Sequence, residues 1–101
     1  DNVVGCVALH EYPEESTAEV ACLYVKQAHE GRGYGRDLVL HAESIAKRRG
    51  IPCVFALSNR AADFFTGKMH YAPAGMDALP RRRRDQYEAS GRDSLVFSKT
   101  F

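Results

Sequence analysis

A chain of 101 residues and 11.2 kDa supplies one modest core and excludes a second domain. With 45% hydrophobic and 27% charged residues it is not a disordered polymer, and no apolar run reaches the ~20 residues of a bilayer span. The net charge of +1 hides an asymmetry: residues 1–30 hold six acids against one Lys, and residues 31–101 hold thirteen bases against seven acids. The sign changes across Glu30-Gly31-Arg32-Gly33-Tyr34-Gly35-Arg36, so an anion would be met there.

Residues 3–12 are apolar or β-branched at almost every position, which predicts an interior strand covered on both faces. Pro13-Glu14-Glu15-Ser16 predicts a turn, and Thr17–Lys26 a hairpin partner. Plain alternation puts Glu19, Ala21, Leu23 and Val25 on one face and Val20, Cys22 and Tyr24 on the other, leaving Glu19 a carboxylate among apolar neighbours. From Gly35 to Arg49 the apolar stripe Leu38, Ala42, Ile45, Ala46 predicts a helix, with Glu43, Lys47 and Arg48 off the stripe. Gly50 and Pro52 end it.

Cys53–Leu57 predicts a short buried strand, and Ser58 or Asn59 caps a helix over Arg60–Thr66. Strand, helix, strand in this order implies a parallel pair. Beyond it lie a short strand within 70–76, a helix over Arg81–Glu88 after Pro80, and a last strand over Ser94–Ser98. Cys6, Cys22 and Cys53 each sit in an apolar stretch, which predicts buried reduced thiols in a cytoplasmic protein. The four histidines lack metal-ligand spacing, so no metal is expected.

The segment with chemistry is the glycine-dense loop between the second strand and the first helix. Helix-terminal amides without an intrahelical acceptor would point at one place. Gly31, Gly33 and Gly35 would let a phosphate approach, while Arg32 and Arg36 would add charge. No Gly-Lys-Ser/Thr follows, and the preceding strand is a hairpin partner, so a Walker loop and a dinucleotide fingerprint are both excluded.

What remains resembles the GNAT-type N-acetyltransferase superfamily, whose Arg/Gln-x-x-Gly-x-Gly/Ala motif is matched at Gly33 and Gly35 and departed from at Glu30. The resemblance implies an α/β (α+β) fold: a mixed central sheet with flanking helices, of which residues 1–101 form the C-terminal portion. It places a first strand, two helices and a second strand before Asp1, consistent with a sequence that opens without Met and reads as an excised piece. A narrower likeness is to the acetyltransferase domain of the bacterial N-acetylglutamate synthases, carried by Ala18 to Val25, by Phe55-Ala56-Leu57-Ser58, by Leu79-Pro80 with Arg82-Arg83, and by Tyr87 with Gly91-Arg92-Asp93-Ser94.

The resemblance implies acetyl-CoA as co-substrate and L-glutamate or another amine as acceptor, with direct attack and no acyl-enzyme. Glu19 is then the base, its apolar surroundings suiting it to take an ammonium proton. Backbone amides of Cys22, Leu23 and Val25 hold the pantetheine and thioester, and Glu30, Gly31, Arg32, Gly33, Tyr34, Gly35 and Arg36 hold the diphosphate. Phe65 stands about where many relatives carry a donor Tyr, so Ser58 replaces it as general acid, with Tyr71 a further candidate and a helix cap the plainer role of Ser58. Arg83 and Arg92 bind the acceptor's carboxylates. An amino-acid-kinase-like domain further upstream and a homo-oligomer are implied as partners; a membrane is not, and nucleic acid is disfavoured. The run Arg81-Arg82-Arg83-Arg84 keeps a rival reading as a solvated basic face or nucleic-acid patch, and the alternative to an enzyme is a non-catalytic CoA-binding or basic-surface module.

Overall fold

The second strand, β2 (Thr17–Val25), organises the sheet. It pairs antiparallel with β1 (Gly5–Tyr12) on one side and parallel with β3 (Cys53–Ser58) on the other. The computed structural model describes residues 5–29, 31–91 and 94–101. A parallel neighbour needs a crossover, and helix α1 (Tyr34–Arg48) supplies it. β3 then pairs antiparallel with β5 (Leu95–Thr100), which carries β4 (Ala72–Ala74) at the far edge, giving the order β1-β2-β3-β5-β4. The mixed sheet and flanking helices agree with the sequence expectation.

Each face of the sheet has its own core. Ala18, Val20, Val54 and Ala56 pack under Val39, Ala42 and Ala46 of α1, with Phe65 and Met69 beside them. The alternate residue Phe55 faces the other way, toward Tyr12, Leu79, Val96 and Tyr87 of helix α2 (Arg81–Ser90). α1 ends as its sequence requires. Gly50 takes a left-handed φ of 74°, and its amide and that of Ile51 bond back to the carbonyls of Lys47 and Ala46.

Four expectations are corrected. Among the described residues β1 lies at the edge of the sheet and not in its interior, and most of its residues are half-exposed. Nor does the alternation of β2 survive past Ala21. Cys6 pairs with Tyr24 and Ala8 with Ala21, so Val7 opposes both Cys22 and Leu23. Cys22 takes up the extra residue at φ 56°, and this bulge turns Leu23 onto the face of Val20, toward α1, rather than that of Glu19. The same edge and bulge leave Cys6 and Cys22 exposed and Cys53 partly so, against the buried thiols expected. Finally, the second helical segment is a π-helical turn, Phe64–Lys68. Thr66 donates its hydroxyl back to the Ala62 carbonyl, and the Tyr71 amide reaches as far as the Phe65 carbonyl.

Glu43 is a correction of a different kind. Read as off the apolar stripe of α1, it is 2% exposed, because it has partners that periodicity does not show. Tyr71 donates its hydroxyl to Glu43 at 2.8 Å, and Lys99 reaches Glu43 at 3.1 Å and the Met69 carbonyl at 3.1 Å. α1, β5 and the chain after the π-helical turn are thereby tied through one buried carboxylate. Burial first, then the Glu43 charge and hydrogen bond, push the Tyr71 phenol far above its usual range. A phenol harder to ionise in the folded state contributes stability that is full below its ordinary pKa near 10 and is lost as pH rises beyond it, because the unfolded chain releases its proton first. The urea midpoint should therefore fall above about pH 10, and Tyr71→Phe, less stable at neutral pH, should show a shallower alkaline fall in the same titration.

Candidate active site

β2 and β3 run side by side only through Thr17–Cys53, Ala18–Val54 and Glu19–Phe55. Beyond those pairs β2 stays with β1 as far as Val25, and β3 stays with β5 as far as Ser58. The sheet therefore splits down its middle, and backbone groups of β2 that β3 would have taken line the opening. A cavity of about 520 Å³ occupies the split, with Glu19, Cys22 and Leu23 on one wall, Ser58 and Phe65 on the other, and Arg83 and Tyr87 closing it from α2.

The end of β2 leads from this cavity to a second one. Val25 lines a groove of about 480 Å³ together with Gly31, Gly33, Tyr34, Gly35 and Arg36, facing Phe64 and Lys68 of the π-helical turn. The first hydrogen bond of α1 here runs from the Asp37 amide to the Gly33 carbonyl at 3.0 Å, so the Gly35 and Arg36 amides have no acceptor within the helix. The glycines serve different ends. Gly31 and Gly33 have φ of 80° and 83°, which side chains rarely adopt, with nothing within 4 Å of an added Cβ. Gly35 lacks a positive φ, and its Cβ would rest 3.7 Å from Phe64 and Val25, ordinary contact.

Of the residues chosen from sequence, Glu19, Cys22, Leu23, Ser58 and Arg83 meet at the split, and Val25, Gly31, Gly33, Tyr34, Gly35 and Arg36 at the groove. Arg32 is exposed on the loop and does not line the groove. Glu30 and Arg92 lie outside the described residues. Lys68 was missed: it brings a second cation to the groove from a distant segment, and no local spacing announces it.

Glu19 is 6% exposed, and it is not isolated among apolar neighbours. Arg83 Nε donates to its Oε1 at 2.8 Å and Nη2 to its Oε2 at 3.5 Å. Ser58 does cap the following segment, its Oγ accepting from the Ala61 amide at 3.0 Å, which leaves its own O–H proton to be donated elsewhere. Tyr71 is removed from the candidates for general acid, since its hydroxyl is bound to Glu43 in the α1-side core. Tyr12 backs the pair on the α2 side. Its hydroxyl pKa is raised by burial first and then by Glu19, against the opposing charges of Arg83 and Arg82.

Three of the four successive arginines of α2 are divided among separate tasks. Arg82 lies 5.1 Å over the Tyr12 ring, Arg83 holds Glu19, and Arg84 donates to the Met76 and Leu79 carbonyls. A continuous solvated basic face is not what these contacts build.

Residues 1–71 match the model of the Acetyltransferase (GNAT) family. The chain is 37% identical over 95 residues to an amino-acid acetyltransferase of Neisseria meningitidis, covering 94% of this chain and 22% of that protein. It is 35% identical over 97 residues to an amino-acid acetyltransferase of Ralstonia nicotianae, covering 96% and 21%. Among solved structures it superposes with a TM-score of 0.92, at 34% identity, on N-acetylglutamate synthase from Neisseria gonorrhoeae complexed with coenzyme A and N-acetyl-glutamate, covering 98% of this chain and 23% of that one. The chain thus spans about a fifth of the length of the relatives it matches.

The loop geometry separates two kinds of glycine by experiment. Gly31→Ala should cost about 1 kcal/mol from the left-handed φ alone, whereas Gly35→Ala should leave stability within about 0.5 kcal/mol. Thermal denaturation of the two variants checks the difference.

Proposed function

Because the chain belongs to the acetyltransferase (GNAT) family, we propose that it transfers the acetyl group of acetyl-CoA to the α-amino group of L-glutamate, giving N-acetylglutamate and CoA. The observation that carries this reading is the continuous track along the end of β2. An anion-binding groove at Val25 and the glycine loop leads to a split in the sheet where a carboxylate and a hydroxyl face one cavity. A carrier with a diphosphate at one end and a thioester at the other fits that order of sites. Identity above 30% to relatives named amino-acid acetyltransferase supports an amino acid as acceptor, and the N-acetyl-glutamate in the gonococcal synthase supports glutamate.

Each residue then has a role set by its place. Amides 33–36, Arg36 and Lys68 surround the diphosphate, where the positive end of α1 favours negative charge. Backbone groups at Cys22 and Leu23, left without a partner in β3, pair with the pantetheine arm as an added strand edge would. Glu19 accepts one proton from the acceptor's ammonium. The freed amine attacks the thioester carbon, the N–C bond forms, and the oxyanion collapses as the C–S bond breaks. The second ammonium proton is lost as the amide forms, and the Ser58 hydroxyl relays a proton to the departing sulfur; one proton is released overall. No covalent intermediate on the chain is needed.

Arg83 supplies the charge an acceptor carboxylate requires, with Arg92 proposed as its companion. Arg83→Ala should raise the KM for glutamate at least about 30-fold and leave that for acetyl-CoA within about twofold. Steady-state kinetics on the full-length protein check this. In the same assay an acceptor panel should show turnover of glutamate; turnover of aminoglycosides or peptide lysines with none of glutamate would overturn the acceptor assignment.

A further inference from the structure

Glu19 and Arg83 are placed to serve the same reaction in two capacities, yet here each occupies the other. Nε to Oε1 is a firm 2.8 Å bond, and Nη2 to Oε2 is slack at 3.5 Å. Glu19 receives hydrogen bonds from Arg83 alone among the described residues, and Arg83 Nη1 makes none among them. The Nη1–Nη2 edge of the guanidinium is therefore open to a second carboxylate. The side chains are 8% and 22% exposed, so the base is covered while the cation is reachable.

Position supports the same conclusion. The pair walls the cavity of the sheet split, and it also walls a concavity of about 850 Å³ bounded by His10 and Glu11 of β1 and by Gln86 of α2. An acceptor that enters from the second cavity meets Arg83 on its way to the thioester.

Building on the acceptor reading above, we propose that this ion pair is a latch. The acceptor's carboxylate takes the open edge of Arg83, draws Nη2 from Glu19, and so frees Glu19 to accept the ammonium proton. The charge count follows. One guanidinium shared by two carboxylates leaves one negative charge beside an ammonium, and moving a proton from that ammonium to Glu19 leaves an intact Arg83–carboxylate pair, a neutral acid and a neutral amine. Recognition of the carboxylate and activation of the amine are one event. An amine without a carboxylate finds the base still held, and is rejected through turnover rather than through binding alone.

The latch predicts a result that a supporting role for Glu19 does not. In full-length protein with CoA present, Glu19→Gln should bind glutamate about tenfold more tightly by calorimetry, because a neutral amide competes for Arg83 less than a carboxylate does. Turnover of glutamate in that variant should fall at least about 100-fold. Arg83→Gln should lower kcat/KM for glutamate about 100-fold and raise kcat for an alkylamine such as butylamine about tenfold. Glu19→Gln preserves shape and decides the matter if Arg83→Gln does not fold. Unchanged or weaker glutamate binding in Glu19→Gln, or loss of both activities in folded Arg83→Gln, overturns the latch while wild-type acetylation of glutamate leaves the acceptor reading standing. Absence of glutamate acetylation in the wild type overturns both.

Discussion

A strand paired on both sides has no backbone left to offer a ligand, and β2 escapes that condition at one place. It follows β3 for three residue pairs and then keeps only β1. The bulge that sets Cys22 and Leu23 against Val7 gives β2 an extra residue and a sharper local twist just past the last β3 pair. The departing strand exposes its edge to the split, then delivers the chain into the glycine loop. That loop must start a crossover helix, because β3 is parallel. The open edge of β2 and the amide-lined groove at the start of the crossover helix thus lie end to end.

What holds the two sides of the split apart is packing above and below it. On the α1 side, Val39, Ala42 and Ala46 press on β2 and β3, while Glu43 joins α1 to Tyr71 and Lys99. A buried carboxylate with fewer partners would be costly; with a phenol and an ammonium it fixes one arrangement of α1 against the π-helical turn that faces the groove. On the other side, Tyr87 pins both backbone groups of Ser94 with its hydroxyl, at 3.1 and 2.7 Å. This ties α2 to the start of β5. Arg83 is presented to Glu19 from a helix anchored at both ends, since Arg84 is bound to the carbonyls that precede it.

The order of elements was legible because each is announced locally: glycines at 31, 33 and 35, the Gly50 stop, the apolar run of 53–57. The glycine loop that lines one side of the groove was legible for the same reason, since its residues are almost consecutive. Illegible features depend on partners far along the chain. Parity along β2 fails at a bulge that no residue type marks, so Leu23 was assigned to the wrong face. Glu43 looks solvated until Tyr71 and Lys99, distant in sequence, are brought to it. The apolar run of β1 does not reveal that one of its edges is open among the described residues, because the number of neighbours is a property of the sheet. Glu19 was legible as a buried carboxylate, but its partner was found only when α2 closed over β2. Lys68 was invisible because the turn carrying it reaches the groove through the tertiary fold.

The proposed acetyl transfer rests on one ligand path, from the amides at the start of α1 to the cavity between Glu19 and Ser58. A crystal structure of the full-length protein with CoA measures it directly. The account predicts the diphosphate within hydrogen-bond distance of amides 33–36 and the sulfur inside the split, between Leu23 and Phe65. A diphosphate bound instead by the arginines of α2, or a pantetheine arm that lies outside the opening between β2 and β3, would contradict it.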